Sequence, residues 1–340
     1  MRDEEERWDE AGLTEGGPEG PGEVGWTEAE LDLTLLEEDL LPEGHRSGFV
    51  AVVGRPNVGK STLMNAYLGQ KVAIVSAKPQ TTRLRQLGIL TAPDYQIVFV
   101  DTPGWHVPEH KLGEFMVETA ARAMEGADLI LLVADVSERP WEEDRRLARF
   151  VAEKGGEVPV IMALNKVDQL KPEAVLAHSD AFRQLLPMAD WILVSALEGT
   201  HLDPLLAMMV AALPEGPRYY PEDQVTDIQV RALVAELIRE QALHLLRQEV
   251  PHAVAVVVDE FKERSEGLVY VAATVYVERE SQKGILIGRG GAMLKRLGAA
   301  ARGEMERALE TRVYLDLWVK VRHNWRKKVD ELRRMGYNPK

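Results

Sequence analysis

At 340 residues, 45% of them hydrophobic and none cysteine, the chain has room for two packed domains and excludes disulfides and thiolate metal sites. No apolar run approaches the ~18 residues a membrane-spanning helix requires, and the eight histidines are scattered apart from His106 and His110, with no cysteine to join that pair, which argues against zinc. The net charge of −14 is unevenly placed: residues 1–45 hold 16 Asp/Glu against Arg2 and Arg7, while residues 283–340 carry a net of +9.

The acidic start is unlike the basic-then-apolar pattern of a signal peptide, and with the lack of cysteine it fits a cytoplasmic address. Residues 1–45 are rich in Glu and Gly and bury too little to offset their ordering entropy, so a disordered extension is expected. Within it, TEAELDLTLLEEDL (27–40) has leucines suited to a short amphipathic helix or a docking peptide. Residues 46–214 then alternate short apolar runs with amphipathic stretches of helix length. FVAVVG (49–54), YQIVFVD (95–101), DLILLVAD (128–135), PVIMALN (159–165) and WILVSA (191–196) read as strands of a mostly parallel sheet. LGEFMVETAARAMEG, WEEDRRLARFVAEKG and HLDPLLAMMVAAL read as covering helices, and RLRQLGILT (83–91) as an additional edge strand. The fold expected is a doubly wound α/β domain. Residues 215–227, rich in proline and mixed charge, read as a linker. From 228 to 340 the rhythm is helix (228–249), strands 253–261 and 268–278, helix, Gly-rich turn, helix, strand 313–321 and a basic terminal helix. That α-β-β-α-α-β order describes a small α+β domain.

GRPNVGKS (54–61) follows the first strand, opens a helix and fits G-x-x-x-x-G-K-[S/T] in full. Gly54, Arg55, Pro56, Asn57, Val58 and Gly59 form a loop whose main chain and helix N-terminus suit nucleotide phosphates. Lys60 is expected to reach the β/γ-phosphates and Ser61 to take Mg²⁺, with Thr62 next in the cradle. In DTPG (101–104), Asp101 would hold the metal through water and the Gly104 N–H would meet the γ-phosphate, with Thr102 and Pro103 between them. PQTTR (79–83) offers a threonine that closes on Mg²⁺ in the triphosphate state, and Thr82 is preferred over Thr81. Lys60, Thr82 and Gly104 form the candidate catalytic set. In NKVD (165–168), the Asp168 carboxylate matches the N1–H and exocyclic amine of guanine, which selects GTP over ATP. Asn165 and Lys166 would support that loop and flank the base, and Ser195, Ala196 and Leu197 would bring a main-chain N–H to guanine O6. One residue breaks the pattern. Trp105 stands where many nucleotide hydrolases carry a water-orienting glutamine, so it is expected to swing away or pack nearby while other groups place the water.

Together, GRPNVGKS, QTTR, DTPG, NKVD and SAL, with YYPEDQVTD (219–227), REQALHLLRQEVPHAVAV (239–256), GILIGRGGAMLKRLG (284–298) and LWVKVRHNWR (317–326), resemble the bacterial Era GTPases over roughly residues 46–335. A related double-GTPase family is disfavoured because one P-loop is present. The resemblance implies a cytoplasmic, monomeric GTPase of slow intrinsic rate, cycling between GTP and GDP. Its second domain would be a type II KH fold that binds single-stranded RNA near the 3′ end of 16S ribosomal RNA and assists 30S maturation. Peripheral association with the inner face of the membrane and a link to the cell cycle also attach to the family. The resemblance further implies K⁺ held through Asn57, supplying charge that an arginine finger supplies elsewhere, an effect of about 10³–10⁵ in rate. The extension 1–45 is not part of the family's core pattern.

GRGG (288–291) alone would read as a helix break; in its α-β-β-α-α-β setting it reads as a loop clamping the backbone of about four nucleotides. Gly288, Gly290 and Gly291 permit close approach, and Arg289, Lys295, Arg322 and Arg326 are the candidate phosphate contacts. Ile285, Ile287, Met293 and Leu297 either line a groove for unstacked bases or pack in the core. The basic tail (Lys320, Arg322, Arg326, Lys327, Lys328, Arg333, Arg334) is a solvated face or a surface for RNA phosphates or anionic lipid, and the neighbouring RNA module favours RNA. The reading is therefore a GTP-hydrolysing small-subunit assembly factor. Its rivals are an RNA-binding module with vestigial hydrolysis and a membrane-recruited GTP-dependent regulator. The acidic extension is expected to make an autoinhibitory contact with the basic C-terminal region.

Overall fold

The computed structural model describes residues 41–76, 78, 81–265 and 267–337, so the expectations for residues 1–40 lie outside them. Six strands form the first sheet: β1 (Arg46–Val53), β2 (Gln86–Thr91), β3 (Tyr95–Asp101), β4 (Leu129–Asp135), β5 (Val160–Asn165) and β6 (Asp190–Leu193). Their order is β2-β3-β1-β4-β5-β6, with every neighbouring pair parallel except β2–β3. The near-continuous apolar runs of β1, β3, β4 and β5 are buried because helices cover both faces. One face packs on α1 (Lys60–Leu68) and α5 (Leu202–Ala212) through Leu63, Met64, Leu205 and Met209. The other packs on α2 (Lys111–Glu125) through Ala123 and Met124, and on α3 (Glu142–Lys154) through Leu147 and Val151, four apart along their helix. A further helix, α4 (Val175–Arg183), was not apparent in the sequence; it adds Phe182 to that second core.

The stretch read as a linker is strapped to this sheet. Gln96 donates to the Tyr220 carbonyl at 2.8 Å and accepts from the Tyr219 and Tyr220 amides at 2.7 and 3.0 Å. Thr226 donates to Leu87 O at 2.7 Å, and Ile89 N donates to Val225 O at 2.8 Å, which ties the stretch to β2.

The remaining elements are α6 (Val230–Leu245), β7 (Ala255–Ser265), β8 (Leu268–Val277), α7 (Glu280–Ile287), α8 (Ala292–Leu309) and β9 (Arg312–Val321). They follow the expected α-β-β-α-α-β order, with β7–β8 antiparallel and β8–β9 parallel. Val234, Leu237 and Ile238 of α6 and Leu297, Ala301 and Met305 of α8 close one face of that sheet over Val271, Ala273 and Val275. The basic terminal helix is shorter than expected: a 3₁₀ turn at Trp325–Lys327, then α9 (Val329–Arg334). Its role is also structural, because Trp325 is buried, donates to Ala253 O at 2.9 Å and stacks on Tyr337 at 5.9 Å between ring centroids. With Leu332 and Met335 it forms an apolar cluster that takes in Leu112 and Met116 of α2, joining the two sheets' domains.

Candidate functional site

Parallel strands deliver their following loops to one edge of a sheet, and a cleft of about 410 Å³ opens there. It is lined by loop 56–62, by Ile74, Val75, Ser76, Thr81 and Thr82, by Gly104, by Asn165, Lys166, Asp168 and Gln169, and by Ala196 and Leu197. Loop 54–59 turns into α1 through Gly59 at φ +102°, where a side chain would also run into the Asn165 amide. Lys60 lies inside the loop, donating to the carbonyls of Gly54 at 3.2 Å and Arg55 at 3.0 Å. Burial pushes its ammonium down to about 8, against the pull of the Asp101 charge.

The three candidate metal residues converge. Ser61 Oγ donates to Asp101 Oδ2 at 2.8 Å, Thr82 Oγ1 donates to the same oxygen at 3.2 Å, and the two hydroxyls are 3.1 Å apart. Asp101 Oδ1 is buried without a hydrogen-bond partner, and desolvation raises the carboxyl's pKa against the pull of Lys60 and the two hydroxyls. An all-oxygen set with an unsatisfied carboxylate oxygen suits a hard cation such as Mg²⁺. Thr81, by contrast, turns its hydroxyl to Lys78 O at 2.6 Å.

At the base end, Asn165 donates to Val58 O at 2.8 Å and accepts from the Ala196 amide at 2.9 Å, so it fastens the phosphate loop to the loop after β6. Strand β6 ends at Leu193, earlier than expected, and residues 194–197 turn into the cleft edge. Ser195 N donates to Thr200 O and Glu198 N to Ser195 Oγ, which leaves the Leu197 amide as the one able to face a base. Lys166, at φ +68°, pairs with Asp135 at 2.6 Å. Asp135 was missed in the sequence, although it ends β4 directly opposite Asn165 on β5. Asp168 is exposed at the cleft.

Other candidates are turned elsewhere. The Arg55 side chain pairs with Asp144 at 2.6 Å and lies over the Trp141 ring at 4.6 Å, so it offers the cleft main chain only. Thr102 Oγ1 donates to Val52 O at 2.7 Å, and Pro103 is buried beside it. The Trp105 indole packs on Phe150 at 5.9 Å while its amide donates to Gly54 O at 3.0 Å. Trp105 therefore anchors the loop after β3 to the phosphate loop. Trp105→Gln is expected to lower thermal stability while leaving GTP hydrolysis within about threefold, as single-turnover assays would show.

In the second domain, Gly288 (φ +72°), Gly290 (φ +60°) and Gly291 (φ +81°) make the turn between α7 and α8. At Gly288 an added Cβ would sit 2.8 Å from that of Met293. Arg289 and Lys295 are exposed there. Of the four apolar candidates, Leu297 belongs to the core and Met293 packs at its margin, while Ile285 is half exposed and Ile287 partly so. Arg322 is exposed, 4.0 Å from Glu331. Arg326 differs from the other phosphate candidates: it pairs with Glu278 at 2.6 Å and faces His110, at the N-terminus of α2, at 3.5 Å. Its charge is thus spent at the seam between domains.

The family described as 50S ribosome-binding GTPase matches residues 49–166, and the KH domain family matches residues 249–326. The chain is 49% identical to "GTPase Era" of Heliobacterium modesticaldum over 295 residues, which is 87% of this chain and 98% of that protein. It is 44% identical to "GTPase Era" of Staphylococcus haemolyticus over 293 residues, 86% and 97% of the two. Among solved structures, Era in complex with MgGDPNP and nucleotides 1506–1542 of 16S ribosomal RNA is similar at a TM-score of 0.83 and 40% identity, covering 87% of this chain and 100% of that one. An Aquifex aeolicus Era variant bound to GDP·AlF₄⁻ is similar at a TM-score of 0.82 and 40% identity, covering 86% and 100%.

Proposed function

The chain belongs to the GTPase Era family, and we propose that it hydrolyses GTP to govern binding of the 3′ end of 16S ribosomal RNA during 30S assembly, as a cytoplasmic monomer. The observation that carries this reading is the convergence of Ser61, Thr82 and Asp101 beside Lys60, in a cleft whose far end holds Asp168. Ser61 and Thr82 would hold Mg²⁺ directly and Asp101 through water; a bound Mg²⁺ neutralises charge on the β- and γ-phosphoryl oxygens. Lys60 adds its ammonium to the same phosphates, and the Gly104 amide meets the γ-phosphate. Asp168 reads guanine N1–H and its amine, and the Leu197 amide reads O6. With Trp105 engaged by Phe150, the main chain near Thr82 and Gly104 and the substrate phosphate place the water. Single-turnover hydrolysis with and without the RNA separates this reading from a vestigial hydrolase, which would show no turnover in either arm.

Asn57, exposed at φ +64° on the rim of the phosphate loop, supports a K⁺ site there. Hydrolysis is expected to be at least about tenfold faster in K⁺ than in Na⁺, and equal rates would reject the site.

For RNA, the glycine-rich turn presents Arg289 and Lys295 to a phosphate backbone. Arg289→Glu is expected to weaken RNA binding about tenfold and flatten its salt dependence by roughly one unit of log–log slope, with the fold unchanged because Arg289 is exposed. Fluorescence anisotropy across a salt series measures both. Membrane attachment has less support: no helix among the described residues is long and apolar enough to cross a membrane, and α9 spans six residues, short for an interfacial anchor.

A further inference from the structure

The described residues of the loop that carries Thr82 form no strand or helix between α1 and β2. A loop without internal ladders needs outside partners to hold one conformation against its chain entropy. Those partners belong to the KH domain. Arg83, fully buried, donates through Nη2 to His252 O at 2.9 Å and through Nη1 to Val254 O at 2.7 Å. Its guanidinium also lies over the Trp325 ring at 5.7 Å and within 3.4 Å of the Tyr337 hydroxyl. From the other side of Thr82, Arg239 of α6 donates to the Thr81 carbonyl while Glu236 balances its charge through Nε at 2.9 Å. Earlier in the loop, the buried Glu240 carboxylate accepts from Val75 N at 2.9 Å and Lys71 Nζ at 2.6 Å. Lys78 meets the Leu243 and Leu246 carbonyls at the end of α6.

Two buried cations on either side of one small hydroxyl residue are an expensive way to pack a seam, because buried charge must be fully partnered. Apolar residues would serve a seam as well. What the arginines add is direction: each fixes a main-chain or side-chain group immediately next to Thr82. We infer that Arg83 and Arg239 are positioning residues for GTP hydrolysis, through which the KH domain holds Thr82 in register with Ser61 and Asp101. The nucleotide site is then incomplete without the second domain. The inference rests on the reading that Thr82 meets the metal in the GTP state.

A double-mutant cycle in the full-length protein separates the two ideas. Single-turnover hydrolysis is measured against Mg²⁺ concentration for Thr82→Ala, Arg83→Met, Arg239→Gln and the Thr82→Ala/Arg83→Met pair, with GDP affinity as the control for an intact fold. Arg83→Met and Arg239→Gln are expected to slow hydrolysis by about tenfold to a hundredfold and to raise the Mg²⁺ requirement, with GDP affinity within about twofold of wild type. The pair should be no slower than Thr82→Ala alone, because Arg83 acts through Thr82. Losses that multiply, or arginine variants with wild-type rate and Mg²⁺ dependence beside a slowed Thr82→Ala, overturn the inference. An unchanged Thr82→Ala would instead overturn the metal reading. If Arg83→Met does not fold, Arg239→Gln and its own pair with Thr82→Ala decide the matter by the same criterion.

Discussion

Asp168→Asn is expected to lose GTP and gain xanthosine triphosphate. The carboxylate of Asp168 can accept from both the N1–H and the amine of guanine, two charge-assisted bonds of about 1.5–3 kcal/mol each. An asparagine keeps one acceptor and turns an N–H₂ donor toward a donor. The loss should be on the order of 10³-fold in GTP affinity, with xanthosine triphosphate, which carries a carbonyl in place of the amine, taking over as the better ligand. The loop is stiff enough for this exchange to be clean. Asn165 is held at both ends by Val58 O and the Ala196 amide, and Lys166 is held by Asp135. A substitution at the exposed position 168 therefore changes the reader and leaves its mount in place. Isothermal titration with both nucleotides measures it, and unchanged GTP affinity would remove Asp168 from the base site.

The strands were legible because fully buried parallel strands are written as continuous apolar runs, and Tyr95–Asp101 emerges with the bounds its sequence predicts. GRPNVGKS, DTPG and NKVD were legible because each stands at the end of a parallel-sheet strand, and the fold brings those ends to one edge. Thr82 was separable from Thr81 only weakly in the sequence; the structure separates them by what brackets them, Arg83 on one side and the Arg239–Thr81 contact on the other. Those contacts could not have been paired from the sequence, since Arg83 and the carbonyl of His252 lie 169 positions apart and nothing in either motif names the other as its partner. Helix α4 escaped because VLAHSDAFR is only nine residues long and buries just Ser179 and Phe182. Arg326 was read as a phosphate contact from its place in a basic run, but charge counting along a chain cannot tell a solvated arginine from one already facing Glu278. The same limit applies to Arg55, whose motif position concerns its main chain alone.

Lys60→Met is expected to abolish hydrolysis and, at the same time, to make the nucleotide-free protein more stable. Lys60 is buried within the loop 54–59, and burial pushes its ammonium down from 10.5 to about 8. Burial therefore disfavours the charged form: the penalty is full below about pH 8 and fades as pH rises toward 10.5, where the unfolded chain also loses its proton. Methionine keeps most of the volume without the charge. Part of that gain is offset by the two lost donations to Gly54 O and Arg55 O, although the Trp105 amide still serves Gly54 O. A net of about 1 kcal/mol at pH 7 would raise the thermal midpoint by about 1–2 °C, and the difference from wild type should shrink at pH 10. The catalytic loss runs the other way. In the proposed site the ammonium would be the fixed charge placed where the β/γ-phosphates develop negative charge, and removing a single such donor costs about 10²–10³ in rate, with a full charge at or above the upper end. GTP should also cease to raise the midpoint, because the ligand no longer binds the folded state preferentially. Thermal scans at pH 7 and 10 with and without GTP, beside single-turnover assays, read all three effects. A variant less stable than wild type when empty would mean that Lys60 holds the loop together, and one that still hydrolyses GTP would take Lys60 out of the phosphate site.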